Sequence, residues 1–95
     1  IAGNETTRNT LTGGLIALTE NPAEKLKLIQ DPDLFSNATD EMLRWVSSVI
    51  YMRRTAACDT EIRGQPIKKG EKVVMWYGSA NRDEEVFEDS HLFKV

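Results

Sequence analysis

The sequence predicts an α+β chain in which three helices precede short β-strands and a hairpin. Three observations carry that prediction. Leu11, Leu15 and Leu18 recur at three- and four-residue spacing, the period of a helix with one apolar face. The period changes after Val46, and Val49 to Ala56 is rich in β-branched and aromatic residues. Val73-Val74-Met75-Trp76-Tyr77 is a second strand, apolar enough to be covered on both faces.

Taken in order, residues 1–20 form the first helix, running from near the N-terminus to Thr19 or Glu20. Asn21-Pro22 then punctuates the chain, with Asn21 as a cap and Pro22 at a first helical position that needs no N–H. The second helix occupies 22–30, with Leu26 and Ile29 inward and Lys25 and Lys27 in water. Asp31-Pro32 stops it, because the residue before a proline is driven out of the helical region. Asp33 to Asn37 is a connector with one short turn at Leu34-Phe35. The third helix covers 37–47, with Ser36 or Asn37 as its cap. Asp40 and Glu41 fall in its first turns and Arg44 near its end, each matched to the helix dipole. Residues 49–77 hold the strands, with a hairpin at Thr60–Ile67 marked by Gly64 and Pro66 and a turn at Lys69-Gly70. Residues 78–95 form an acidic, loop-like tail.

Composition bounds the function. Ninety-five residues make one small domain at most. A net charge of −3 and the lack of a basic stripe argue against a nucleic-acid surface. No apolar run is long enough to span a bilayer, and no secretory leader is visible. One cysteine, Cys58, and one histidine, His91, exclude an internal disulfide and a His cluster, and fit a reducing, cytoplasmic setting. The chain opens on Ile1 inside a helical pattern and closes directly after a loop-like stretch, which suggests a piece of a larger protein.

Two stretches carry chemistry. The first is Ile1-Ala2-Gly3-Asn4-Glu5-Thr6-Thr7-Arg8-Asn9. Gly3 costs a helix about 1 kcal/mol against alanine, yet it removes bulk where a group could approach the backbone. Thr6 and Thr7 can each return a hydroxyl hydrogen bond to a carbonyl one turn back, which loosens a helix. An acid and a hydroxyl beside a groove form a place to move protons. The same residues are also explained as an ordinary helix start, with Thr as cap and an acid near the positive end. The second stretch is Glu41-Met42-Leu43-Arg44, whose acid and base share one helical face. On a wet face the pair is worth only a few tenths of a kcal/mol. Flanked by apolar residues, it must be hydrogen-bonded to be tolerated, and it then pins the helix to the backbone that follows.

Ala2-Gly3-Asn4-Glu5-Thr6-Thr7 resembles the oxygen-activation helix of cytochromes P450, and Glu41-x-x-Arg44 their ExxR helix. Arg54 in Tyr51-Met52-Arg53-Arg54-Thr55-Ala56 falls where that family sets an arginine against a haem propionate. Ser79-Ala80-Asn81-Arg82-Asp83 resembles the bacterial Ala-Asn-Arg-Asp stretch after the next strand. The resemblance spans the whole chain. It implies a fragment of the mainly α P450 fold, from the oxygen-activation helix to just before the haem-thiolate loop. The region from Thr39 to Asp83 looks most like soluble bacterial members that hydroxylate terpenoids, methyl-branched lipids or steroid side chains.

The resemblance implies roles residue by residue. Ala2 and Gly3 lie over haem b and leave room for O2; Thr6 hydrogen-bonds the oxygen and Glu5 relays protons to it from solvent. Arg54 pairs with a propionate, with Arg53 as the competing candidate, since strand alternation puts the two on opposite faces. Val49, Ile50 and Met52 approach the pocket of a small hydrophobic substrate; core packing is the other explanation for these three. A ferredoxin-type protein supplies electrons. The family pattern also has departures here. Ser48 stands where members often carry proline, and Leu92 in Ser90-His91-Leu92-Phe93 stands where they carry a second arginine that completes the Glu–Arg network. The Gly-rich loop with the axial cysteine is absent, and Cys58 lacks its context, so no residue is assigned to the metal. The fragment alone is then inactive. The alternative is a haem-free α+β interaction domain, or relic, that retains a P450-like segment.

Overall fold

A computed structural model describes residues 2–95; Ile1, where the expected first helix opens, lies outside them. The elements are α1 (Glu5–Glu20), α2 (Pro22–Gln30), a 3₁₀ turn (Pro32–Leu34), α3 (Phe35–Val46), β1 (Tyr51–Thr55), β2 (Thr60–Ile62), β3 (Gln65–Ile67), β4 (Lys72–Trp76) and the short α4 (Tyr77–Ala80). Helices followed by small antiparallel sheets make this the α+β arrangement that the sequence predicts.

The start of α1 differs from expectation. Ala2, Gly3 and Asn4 form a turn, because Gly3 holds φ +83°, a left-handed conformation that ends helical continuity. The cap is Asn4, not a threonine, and its side chain makes no capping bond. The buried stripe of α1 is also rotated from the leucine face. Leu11 and Leu15 stay exposed, while Thr10, Gly13, Gly14, Ala17 and Leu18 face the protein. The reason is steric. A Cβ on Gly13 would sit 2.6 Å from Val46 Cγ2, and one on Gly14 2.7 Å from Met42 Sδ. Only the bare backbone of α1 lets α3 come this close.

In α2 the inward residue is Leu28, at 6% exposure, while Leu26 and Ile29 remain open to solvent. Leu28 and Glu24 share a face four residues apart, and that face meets the rest of the chain. Asn21 caps in the opposite sense from expectation: its Nδ2 donates to the Ala17 carbonyl and closes the end of α1. Asp31 Oδ1 accepts from the Asp33 amide and starts the 3₁₀ turn. That turn runs straight into α3, which therefore begins at Phe35, two residues before the expected start. Ser36 and Asn37 do not cap it, and Asp40 and Glu41 lie beyond its first turn.

β1 and β4 pair antiparallel, with Met52 opposite Met75 and Arg54 opposite Val73. β2 and β3 form the hairpin, Thr60 opposite Ile67. β4 is not covered on both faces: Val73 and Met75 are half-buried, while Lys72, Val74 and Trp76 are exposed. On the exposed Trp76 side of its two-stranded sheet Tyr51 packs at 5.1 Å between ring centroids. Gly78 and Ser79 belong to α4, not to a loop. Among the described residues the buried apolar side chains are Ala17, Leu28, Ala38 and Phe93. The core thus lies between the three long helices and the C-terminal strap, residues 81–95, with α1 packed on both α2 and α3.

Candidate functional site

The acid and base of α3 come together as one unit. Arg44 Nε and Nη2 donate to Glu41 Oε2 and Oε1, both at 2.7 Å, a bidentate fork. Both side chains are close to nine-tenths buried, at 11% and 12% exposure. Three carbonyls take the remaining N–H groups: Asn81 O and Ser90 O from Nη1, both at 2.8 Å, and Leu92 O from Nη2 at 2.9 Å. Every guanidinium donor therefore has a partner. Hydrogen bonding to Glu41 holds the Arg44 guanidinium above its ordinary range, although burial pulls the other way. Glu41 Oε1 also accepts from the Lys94 amide at 2.8 Å. The Leu92 side chain is 55% exposed and takes no part, so the network closes here through its backbone.

The end of α3 is held from the α4 side. Ser47 adopts a left-handed conformation (φ 47°), and its hydroxyl donates to the Arg44 carbonyl. Asn81 Nδ2 donates to that same hydroxyl at 2.9 Å. Arg82 donates to the carbonyls of Arg44 and Trp45, and its guanidinium lies 4.3 Å from the Trp45 ring centroid. Burial and the neighbouring Arg44 charge lower the Arg82 guanidinium from its ordinary range. These contacts satisfy helix carbonyls that otherwise lack donors. They give the Asn81-Arg82 motif a structural task that its sequence did not disclose. A cavity of about 530 Å³ beside Glu41 and Arg44, with Asp40 and Lys94 on its wall, belongs to this network.

The other expected residues gather on the start of α1 and on the stretch after α3. Thr6 and Val49 line one cavity of about 220 Å³, together with Thr10, Ser48 and Tyr77. The expected back-bonds from Thr6 and Thr7 are not formed, whereas Thr19 and Thr39 do bond the carbonyls four residues back at 2.8 Å. The carbonyls one turn before Thr6 and Thr7 lie in the Ala2–Asn4 turn, so helical geometry does not deliver them. Glu5 is turned toward solvent and pairs with Arg8 at 2.7 Å. Ala2 and Gly3 are exposed, and a Cβ on Gly3 would meet nothing within 4 Å. Val49, Ile50 and Met52 are 37%, 65% and 43% exposed, so within these residues they are not packed core. Arg54 shares its strand face with Met52, and Arg53 lies on the opposite one. Among the described residues Arg54 has no acidic partner; Nη1 donates only to the Arg53 carbonyl.

This donor set has the chemistry to meet a flat, apolar group that carries carboxylates, and of its members Thr6 and Val49 share one cavity. It offers an open small-residue turn, an exposed apolar segment and an unpaired guanidinium. Cys58 is exposed, and no group of three or more His, Cys, Asp or Glu among the described residues could bind an ion. No helix of the described residues is long and apolar enough to cross a membrane. The pair Thr10 and Ser48, joined at 2.8 Å, was not expected as part of the site. Threonine four residues after Thr6 was the available signal, since that spacing returns to the same face.

The family profile described as Cytochrome P450 matches residues 1–95. The chain is 52% identical over 95 residues to linalool 8-monooxygenase of Pseudomonas putida, covering all of this chain and 23% of that protein. It is 50% identical over 96 residues to steroid C26-monooxygenase of Mycolicibacterium smegmatis, again over the whole chain and 22% of the relative. Among solved structures, a Mycobacterium marinum cytochrome P450 in complex with pseudoionone superposes with a TM-score of 0.92 at 47% identity, over 98% of this chain and 23% of that one. The chain thus spans under a quarter of the length of these relatives.

Proposed function

The chain belongs to the cytochrome P450 family, and on that premise we propose that it is the oxygen-activation and haem-edge segment of a haem-thiolate monooxygenase. The full-length enzyme inserts one atom of O2 into a hydrophobic substrate of terpenoid, branched-lipid or steroid type. The other atom leaves as water, with two protons from solvent and two electrons from a ferredoxin-type partner. Relatives named for linalool and steroid oxidation support the substrate class. A cytoplasmic setting fits the single cysteine and the absence of a spanning helix among the described residues.

When bound, haem b supplies oxygen binding, O–O cleavage and electron storage. The residues of this chain supply placement and protons. Arg54 holds a propionate by a charge-assisted bond, the one acidic partner its guanidinium lacks in the structure. Ala2 and Gly3 keep the space over the cofactor free. The observation that carries the proposal is Thr6, whose hydroxyl has no partner among the described residues and which lines a cavity shared with Val49. An uncommitted hydroxyl can accept a proton on one side and present one on the other. Glu5, exposed beside it, exchanges protons with bulk water once its carboxylate leaves Arg8. Val49, Ile50 and Met52 offer the apolar wall against which a substrate rests. Glu41 and Arg44 take no part in the chemistry and fix the backbone at Asn81, Ser90, Leu92 and Lys94.

The test is to express the full-length reading frame, reduce it and record the carbon monoxide difference spectrum. A red-shifted thiolate band is expected. Thr6→Ala should then consume O2 with a large loss of product per O2. A full-length protein that binds no haem, or a Thr6→Ala variant that stays coupled, refutes the proposal.

A further inference from the structure

We propose that Thr10 and Ser48 are positioning residues for Thr6, acting as a hydroxyl clasp between α1 and the segment that leads into β1. The proposal rests on the reading of Thr6 given above and adds to it two residues that act through it.

Thr6 and Thr10 are four residues apart and share one face of α1. A helical threonine ordinarily spends its hydroxyl on the carbonyl four residues back, as Thr19 and Thr39 do. Thr10 does not. Its Oγ1 lies 2.8 Å from Ser48 Oγ, thirty-eight residues away. Ser48 Oγ in turn lies 3.3 Å from the Thr6 carbonyl, the acceptor Thr10 would otherwise use. Ser48 is inserted between the two threonines.

The proton count fixes the direction of this chain. Ser48 has one hydroxyl proton. If it is donated to the Thr6 carbonyl, the Thr10 hydroxyl must donate to Ser48 Oγ. The chain then ends on a carbonyl and cannot pass a proton onward. It works as a clamp, tying the peptide unit of Thr6 to the residue directly before Val49. Thr6, Thr10, Ser48 and Val49 all line the same cavity of about 220 Å³. The clasp therefore sets the spacing between the Thr6 hydroxyl and the apolar wall. Ser47, next in the chain, is independently anchored by Asn81 and Arg44, so the Ser48 side of the clasp is the fixed side.

The experiment uses the full-length, haem-loaded protein with Thr10→Val, Ser48→Ala, the double variant, Thr10→Ser and Thr6→Ala. The readouts are the infrared stretch of carbon monoxide on the reduced haem and the product formed per O2 consumed. Both are taken per intact haem, so that a loss of folded protein does not enter. Thr10→Val and Ser48→Ala should each displace the infrared band and lower coupling by up to roughly tenfold, a fraction of the hundredfold that a 1 Å misplacement can cause. The double variant should match the singles, because both remove one clasp. Thr10→Ser, which keeps the hydroxyl, should restore the band and the coupling. If Thr6→Ala moves both readouts while Thr10→Val and Ser48→Ala move neither, the clasp proposal falls and the role of Thr6 stands. If Thr6→Ala moves neither, both fall together.

Discussion

Replacing Arg44 by lysine keeps the charge of the α3 network and removes its fork. The guanidinium satisfies five acceptor contacts: two on Glu41 and one each on the carbonyls of Asn81, Ser90 and Leu92. An ammonium has three donors, so at least two acceptors lose their partner. An unsatisfied buried polar group costs about 1–3 kcal/mol. With both side chains near 11–12% exposed, some water reaches the gap, and the lower half of the range applies. The expected loss is about 3 kcal/mol, or roughly a hundredfold in the local opening equilibrium. Amide hydrogen exchange in the full-length protein reads this directly. Peptides covering residues 81–95 contain the Lys94 amide bonded to Glu41 and the three carbonyl contacts. They should exchange about a hundred times faster in Arg44→Lys than in the parent. Exchange that changes less than twofold would show that charge alone holds the strap, and the fork account would be wrong.

Two further outcomes follow from the same structure. Gly13→Ala gains about 1 kcal/mol of helix propensity but loses more to overpacking, about 1–3 kcal/mol, because its Cβ would meet Val46, whose branched side chain has one preferred rotamer in a helix. Thermal unfolding of the full-length protein should show a lower midpoint; a higher one would contradict the close contact between α1 and α3. The second outcome concerns pH. Burial raises the Glu24 carboxyl, but bonds from Lys27 and the Val95 amide and the charges of Lys27 and Lys94 more than offset it and hold it below the usual range. A carboxylate depressed on folding binds fewer protons in the folded state. Its contribution is therefore complete above the ordinary carboxylate pKa and is lost as pH falls through the folded value. Exchange of the Val95 amide should quicken on that acid limb relative to the unfolded chain, and Glu24→Gln should flatten the dependence.

The sequence disclosed some parts of this molecule and hid others for physical reasons. The Glu41–Arg44 contact was legible because three residues on a helix bring two side chains together without help from the rest of the fold. Its other acceptors were not, since a carbonyl is present at every position and leaves no mark in the sequence. The strands and hairpin were legible from β-branched runs and turn glycines; Gly70, at φ 89°, closes the turn that the Lys69-Gly70 pair announced. The orientation of the helices was not. A leucine stripe marks one apolar face of α1, but Gly13 and Gly14 admit α3 on another face, where leucines would hold it off. Leu26 and Ile29 misled in the same way, because the apolar side of a short helix does not say which neighbour it meets. The Thr10–Ser48 contact joins residues too far apart in sequence for any local pattern to pair them.

Three of the five bonds to Arg44 end on backbone oxygen, at Asn81, Ser90 and Leu92. All twenty amino acids carry that oxygen. Exchange of the exposed side chain at 92 therefore leaves the acceptor in place. Length is a different matter. Deleting or inserting one residue between 81 and 92 would carry the carbonyls past the guanidinium, and no choice of side chain could return them. The strap is constrained in its spacing throughout, and free in its spelling only at open positions such as 92. Its history should read as substitutions without gaps.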